Sequence, residues 1–399
     1  MNINEIKQKD TEYVANTYPR YDLCVEKGLS STCYDFDGKE YIDLSSGIGV
    51  NSLGFCDPAW AGAVTGQLNT LQHMSNLFYT SPCVRLAEKL SEITGCKKVF
   101  FANSGAEANE GAIKAARKYS FDKYGAESGR NRIITLVNSF HGRTMAALTA
   151  TGQESFHNFF FPFLEGFEYV NAGNIGELKE KLEIDILTNG SCAAIIIEYI
   201  QGEGGVVPLD YDYVKAVAEI CEKYDILLIA DEVQTGVGRT GTFLAGENYG
   251  IKADITTLAK GLGGGLPIGA VLLGEKTADV FGPGHHGTTF GGNPAICAGA
   301  VEILNRISDE SFLAGVKNKG DYIRKRLSEI DEVIKTDGMG LMLGITLKTK
   351  KSADVVKAGI ENGVITLTAK EKLRLLPPLN ITMGELEKGL DRLINIMKN

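Results

Sequence analysis

At 399 residues, 44% of them apolar and 23% charged, the chain has an ordinary globular composition but exceeds what one hydrophobic core usually serves, so two lobes are expected. Its net charge of −9 is spread along the chain with both signs mixed, which speaks against a nucleic-acid partner, and no apolar run has membrane or signal-peptide character. Eight scattered cysteines without a C-x-x-C pair and five histidines without zinc-ligand spacing point to reduced thiols, no metal and a cytoplasmic protein.

Residues 1–20 are polar and read as an arm or short helix. Residues 33–44, CYDFDGKEYIDL, alternate around Asp37-Gly38, a hairpin signal. Residues 47–58, GIGVNSLGFCDP, are glycine-rich and loop-like. An α/β rhythm follows, with strand candidates at 97–102, 133–137, 193–198, 226–230 and 254–258. Between them, helical spacing puts Ala108, Ala112, Ala115 and Tyr119 on one stripe and Val214, Val217, Cys221 and Tyr224 on another. Strands alternating with helices of about ten to fifteen residues predict a largely parallel sheet. From about residue 305 the pattern changes: a helix over 308–330, a glycine-bearing stretch 333–347, then further α and β pieces. The last helix opens on a capping box, Thr382 to Glu385, and lines up Leu386, Leu390, Leu393, Ile394 and Met397. The expected division is an N-terminal segment 1–58, a large domain 59–304 and a C-terminal α+β domain 305–399, the first and last forming one small lobe.

Two strand ends carry chemistry. Asp231 closes one buried run, and the run at 254–258 delivers Lys260 just before a glycine series. Ligands of open α/β sheets sit at the carboxyl ends of strands. An amine and an acid placed there suit pyridoxal 5′-phosphate (PLP): the amine bonds the cofactor aldehyde and the acid holds the pyridine nitrogen protonated. Spacing alone fits a surface lysine and a helix-capping aspartate equally well. Ser104-Gly105-Ala106, after a strand and before a helix, is a possible phosphate cradle or a plain N-cap. No P-loop or G-x-G-x-x-G fingerprint is present, which leaves nucleotide binding without support.

The segments NSGAEANEGAIKAARK, FHGRT, IQGEGGV, DEVQTGVGRTG, the Lys260 region, HGTTFGGNP and RLLPPL occur in one order. Together they resemble the PLP-dependent class III (ω-) aminotransferases, the group that handles acetylornithine, ornithine and 4-aminobutyrate. The resemblance covers residues 18–379. It implies the fold type I architecture: a seven-stranded, mostly parallel sheet between helices, with a small α+β domain built from both chain ends. It also implies a homodimer with active sites at the interface. Lys260 then matches the cofactor lysine and proton shuttle, and Asp231 the pyridinium partner. Val233 and Phe140 match the ring-packing residues, Gln234 the contact to the phenolic oxygen, and Glu232 lies in the same cofactor-binding segment. Ser104, Gly105 and Ala106 match the phosphate site, to which Thr289 is contributed by the neighbouring subunit. For substrate, Arg143 matches the α-carboxylate ligand, a task suited to a planar guanidinium. Arg374 matches the arginine for glutamate or 2-oxoglutarate, and Glu203 the acid that pairs with it while an amine donor is bound. Tyr18 and Thr288 match further substrate contacts. The reaction implied is transfer of the ω-amino group of N-acetylornithine to 2-oxoglutarate, with ornithine, succinylornithine or 4-aminobutyrate as alternative donors. A PLP aminomutase, a PLP decarboxylase or a cofactor-free binding protein are the rivals of other classes. Two departures bear on the mouth of the site: Tyr199 stands where the family has proline, and Phe55 and Asp57 replace the histidines of a GHCHP loop.

Overall fold

The computed structural model describes residues 2–187 and 192–399. The polar start is a helix, Ile3–Tyr13, closed by a capping box between Asn2 and Glu5. Three antiparallel strands follow, β1 (Val25–Leu29), β2 (Thr32–Asp35) and β3 (Glu40–Asp43), with the β2–β3 turn at the expected Asp37-Gly38.

The central sheet is made of β4 (Lys98–Ala102), β5 (Arg132–Leu136), β6 (Phe167–Val170) and β7 (Cys192–Ile197), then, after a short separate ladder of β8 (Ile200–Gln201) and β9 (Val207–Pro208), of β10 (Leu227–Asp231), β11 (Ile255–Leu258) and β12 (Gly269–Leu273). Its spatial order is β4-β12-β11-β10-β7-β5-β6. The strands are parallel except β12, which runs antiparallel to both β11 and β4. β12 was not among the expected strands, because its GAVLL run follows a glycine series that reads as loop. Every residue of β7, β10, β11 and β12 is buried, as apolar strands covered on both faces require. Alternate residues feed opposite cores: Ile195, Ile197, Leu228 and Ala230 join one cluster, while Ala194, Ile196, Leu227 and Ile229 join another.

The helix Gly105–Tyr124 lays Ala108, Ala112 and Ala115 on that second core, with Tyr119 packed half-buried beside them. In the helix Tyr211–Tyr224, Val214, Val217 and Cys221 are buried as expected. Tyr224, at the last turn, is exposed instead. The helix expected over 308–330 is Glu310–Ser328, opened by an Asp309 N-cap, and a separate helix, Pro294–Ile307, runs across residue 305.

The remaining strands are β13 (Val333–Met339), β14 (Met342–Leu347), β15 (Val364–Ile365), β16 (Leu367–Ala369) and β17 (Lys372–Leu375). β15 pairs parallel with β3, which joins the two chain ends in one sheet, and β13-β14-β17-β16 form another. The helix Met383–Lys398 carries the expected capping box and buries the five apolar residues expected on one face, Leu386, Leu390, Leu393, Ile394 and Met397. Among the described residues no helix is long and apolar enough to cross a membrane.

Arg239 fixes the chain after β10 to the C-terminal strands. Its fully buried guanidinium donates to the carbonyls of Leu341 (3.1 Å) and Pro377 (2.5 Å). Burial pushes its pKa down to about 9, against the opposing charge of buried Asp43. Arg239 Nη2 also donates to Ser46 Oγ (3.4 Å), so this side chain joins the chain after β10 to the loop after β3 and to the segment that follows β17.

Candidate active site

β10 ends on Asp231, and its parallel neighbour β11 ends two residues before Lys260. Parallel pairing therefore brings acid and amine to one edge of the sheet. Lys260 adopts φ 43°, in the left-handed region that a non-glycine residue enters only when its surroundings hold it there. Both residues line one cavity of about 490 Å³, within the range of small-molecule sites. Burial pushes the Lys260 amine below the ordinary lysine value, and the charges of Glu203 and Asp231 offset only part of this.

Asp231 is buried in a network that the sequence did not announce. Its Oδ2 accepts from Asn109 Nδ2 (2.7 Å) and contacts His141 Nδ1 (2.7 Å), while Oδ1 accepts from the Val233 N–H (3.0 Å). Asn109 is itself fixed, accepting from Thr257 Oγ1 on β11 (2.7 Å) and donating to the His141 carbonyl (2.7 Å). Glu198, just after β7, is buried as well. It accepts from the backbone N–H of Phe140 (2.8 Å) and of Gly202 (3.1 Å). Burial raises its pKa to about 7, with His141 opposing the rise and Asp231 adding to it. One carboxyl thus ties the Phe140 segment to the QGEGG segment that carries Glu203.

The helix Gly105–Tyr124 points its N-terminus at the same cavity, with Ser104 as N-cap accepting from Glu107 N–H at 3.2 Å. First-turn N–H groups have no partner inside a helix, so Gly105 and Ala106 offer donors to an anion. A Cβ on Gly105 would lie 2.7 Å from Val233 Cγ1, so only glycine allows this approach. Gly142, at φ 142°, likewise seats the 140–143 loop against Ala106, where a Cβ would come within 2.7 Å. Phe140, Val233 and Gln234 line the cavity too.

Gln234 leads to the ion pair. Arg374 Nη1 is 2.5 Å from Glu203 Oε1 and 3.4 Å from Gln234 Oε1. The arginine side chain is only 5% exposed, and its Nε has no hydrogen-bond partner among the described residues. Burial works against ionisation of Glu203, but the charge and hydrogen bond of Arg374 outweigh it and hold the carboxyl below its ordinary value. At the rim stands Arg143, exposed, its guanidinium over the rings of Phe156 (4.1 Å) and Phe140 (5.5 Å).

Six expected residues do not line this chain's cavity: Glu203 and Arg374, which reach it only through their contacts with Gln234, and Thr288, Thr289, Tyr18 and Glu232. Thr288 lies beside it, its Oγ1 accepting from Asn103 Nδ2 at 2.9 Å; Thr289 is exposed, and Tyr18 is 69% exposed. Glu232 is a correction: successive residues of an extended chain face opposite ways. Its carboxylate points away from the Asp231 side and accepts from Ala245 N–H (2.6 Å) and Gly246 N–H (3.0 Å). The two departures from the family pattern also lie off the mouth. Tyr199 is buried, stacked on Tyr249 at 5.2 Å, and lines a different small cavity with Glu232. Phe55 packs against Gly28, and Asp57 caps the helix Pro58–Leu68 while pairing with Arg306 at 2.5 Å. From that stretch of chain only Val50 reaches the cavity.

The profile of class-III aminotransferases matches residues 13–397. The chain is a class-III aminotransferase. It is 52% identical to the acetylornithine aminotransferase of Haemophilus ducreyi, over all of this chain and 99% of that one. Among solved structures it superposes on the ornithine aminotransferase of Toxoplasma gondii ME49 with a TM-score of 0.93 at 32% identity, covering 100% of this chain and 95% of the other. It superposes on the N-acetylornithine aminotransferase of Stenotrophomonas maltophilia K279a with a TM-score of 0.82 at 34% identity, covering 98% of each. Class-III aminotransferases depend on PLP, and the site of this aminotransferase fits that cofactor. It offers a buried amine of lowered pKa, a buried carboxylate locked by donors, and a helix N-terminus reached through a glycine that no Cβ could replace.

Proposed function

We propose that this aminotransferase moves the ω-amino group of N-acetylornithine to 2-oxoglutarate, giving N-acetylglutamate semialdehyde and glutamate. The observation that carries the reading is the Glu203–Arg374 pair, buried beside Gln234 and within electrostatic reach of Lys260. An enzyme that alternates between an amine donor and an oxo acid needs one pocket for two unlike charges. Paired, Glu203 and Arg374 present little net charge to a donor whose carboxylate lies elsewhere. Unpaired, Arg374 offers a bidentate fork to a carboxylate. An aminomutase or decarboxylase takes no second substrate and has no use for such a switch.

The bound cofactor supplies an electron sink for the carbon that carries the amine. Asp231, braced by Asn109 and His141, would face its ring nitrogen; Val233 and Phe140 would pack on the ring, and Gly105, Ala106 and Ser104 would hold its phosphate. Lys260 Nζ would take the proton from the amine-bearing carbon and return it, a role that its lowered pKa favours. Arg143 would bind the α-carboxylate of the donor. Thr289, exposed on its own chain, would complete the phosphate site of a second subunit, making the enzyme a homodimer with shared sites. Tyr18 and Thr288 would touch substrate at the same boundary. We place the enzyme in the cytoplasm, a reading supported by eight cysteines without a disulfide pattern.

Ornithine as the donor is the second reading, favoured by the TM-score of 0.93 to the Toxoplasma enzyme. Single-turnover absorbance of the cofactor with N-acetylornithine, ornithine and 4-aminobutyrate separates them. The reading requires N-acetylornithine to give the highest kcat/KM, and a higher value for either other amine would replace it.

A further inference from the structure

We infer that Phe156 sets donor specificity by holding the Arg143 guanidinium in place for a carboxylate, a positioning role that rests on the reading of Arg143 given above. The guanidinium carbon is 4.1 Å from the centre of the Phe156 ring and 5.5 Å from that of Phe140. The two rings meet edge to face at 5.6 Å and 71°, so the cation sits against a two-ring corner. Among the described residues no carboxylate pairs with Arg143 and no carbonyl accepts from it. All five N–H donors of its fork are therefore available to an incoming anion.

An exposed arginine on a free stem would visit many rotamers, and each hydrogen bond to a ligand would cost the loss of that freedom. Contact with an aromatic face removes part of the cost before the ligand arrives, and it consumes no donor. Phe156 can do this because it is anchored itself. It closes the short turn Glu154–Phe156, its N–H donating to the Gln153 carbonyl at 3.1 Å. The Gln153 side chain donates to the Ser139 carbonyl (3.0 Å), and the Gly152 N–H donates to Ser139 Oγ (3.0 Å). Asn138 N–H returns a bond to the Gly152 carbonyl at 2.7 Å. Residues 152–156 are in this way strapped to residues 138–139, next to Phe140, whose own N–H is held by Glu198. The corner that receives Arg143 is built from both sides before any substrate binds.

The test compares N-acetylornithine with N-acetylputrescine, the same amine without the carboxylate, in single-turnover absorbance of the holoenzyme. The wild-type enzyme should prefer the carboxylated donor. Phe156→Leu, apolar but without a ring face, should lower that preference roughly tenfold, mainly by raising KM for N-acetylornithine. Phe156→Tyr keeps the ring and should retain the preference. Equal losses with both amines in Phe156→Leu, or an unchanged preference, would overturn the positioning role. If Arg143→Ala abolishes the preference while Phe156→Leu leaves it intact, only this inference fails. If the wild-type enzyme shows no preference, the reading of Arg143 fails and this inference with it.

Discussion

Replacing Glu203 with glutamine changes the charge of the pair while keeping its shape. Arg374 would then be a buried guanidinium facing two neutral amides, with Gln234 Oε1 at 3.4 Å and its own Nε unpartnered. The amide oxygen still accepts, so a charged hydrogen bond worth about 1.5–3 kcal/mol becomes a neutral one worth about 0.5–1.5 kcal/mol, a loss of about 1–2 kcal/mol, whereas leaving one charge of a fully buried pair uncompensated costs about 3–5 kcal/mol. Glu203 keeps 28% of its side chain exposed, so water reaches the pair and the lower figure applies. In the half-reaction with glutamate the substrate carboxylate replaces the missing charge and recovers that cost; N-acetylornithine brings nothing to Arg374. Glutamate should therefore gain on N-acetylornithine by about 1–2 kcal/mol in kcat/KM, or about 5- to 30-fold. Arg374→Ala should move the ratio the other way by crippling the 2-oxoglutarate and glutamate half. Rapid-mixing absorbance of the cofactor with each amine measures both effects. If both half-reactions slow by the same factor in both variants, the pair is structural and the switch is wrong.

Borohydride treatment of the holoenzyme should fix the cofactor to the peptide containing Lys260, and Lys260→Ala should lose at least about a thousandfold in turnover; label on another lysine would remove the assignment. Mixing Lys260→Ala chains with Thr289→Ala chains should restore partial activity, because a hybrid dimer has one site with both residues intact. A fully active monomer by light scattering would end the shared-site proposal. Glu232 is buried and its pKa is raised to about 7, largely by desolvation, so the folded state holds a proton that the unfolded state releases near pH 4.3. Its contribution is full below that value and lost as pH rises to about 7, worth about 3–4 kcal/mol; Glu232→Gln should flatten the fall in Tm across that window, and an unchanged slope would show the carboxyl is ionised when folded.

The fold was legible in the sequence where local pattern and burial agree. The apolar runs that end at Asp231 and precede Lys260 are buried parallel neighbours, so hydrophobic runs and a strand-end rule were enough to bring acid and amine together. β12 escaped because a five-residue apolar run beside glycines has no periodicity to separate strand from loop. Periodicity also could not orient Glu232: an acid one residue beyond a strand end points into the site or behind the sheet according to register alone. The bracing of Asp231 was hidden for another reason. Asn109 is on a helix, His141 in a loop and Thr257 on a strand, and only tertiary packing makes them one network. The same holds for Phe156, an unremarkable aromatic in sequence whose meaning is the cation lying 4.1 Å from it. The residues that do chemistry must present particular groups at particular strand ends, and that restriction leaves a trace in a single sequence. The residues that hold them need only the right shape from whichever element packs alongside, and many sequences satisfy that requirement without any recurring pattern.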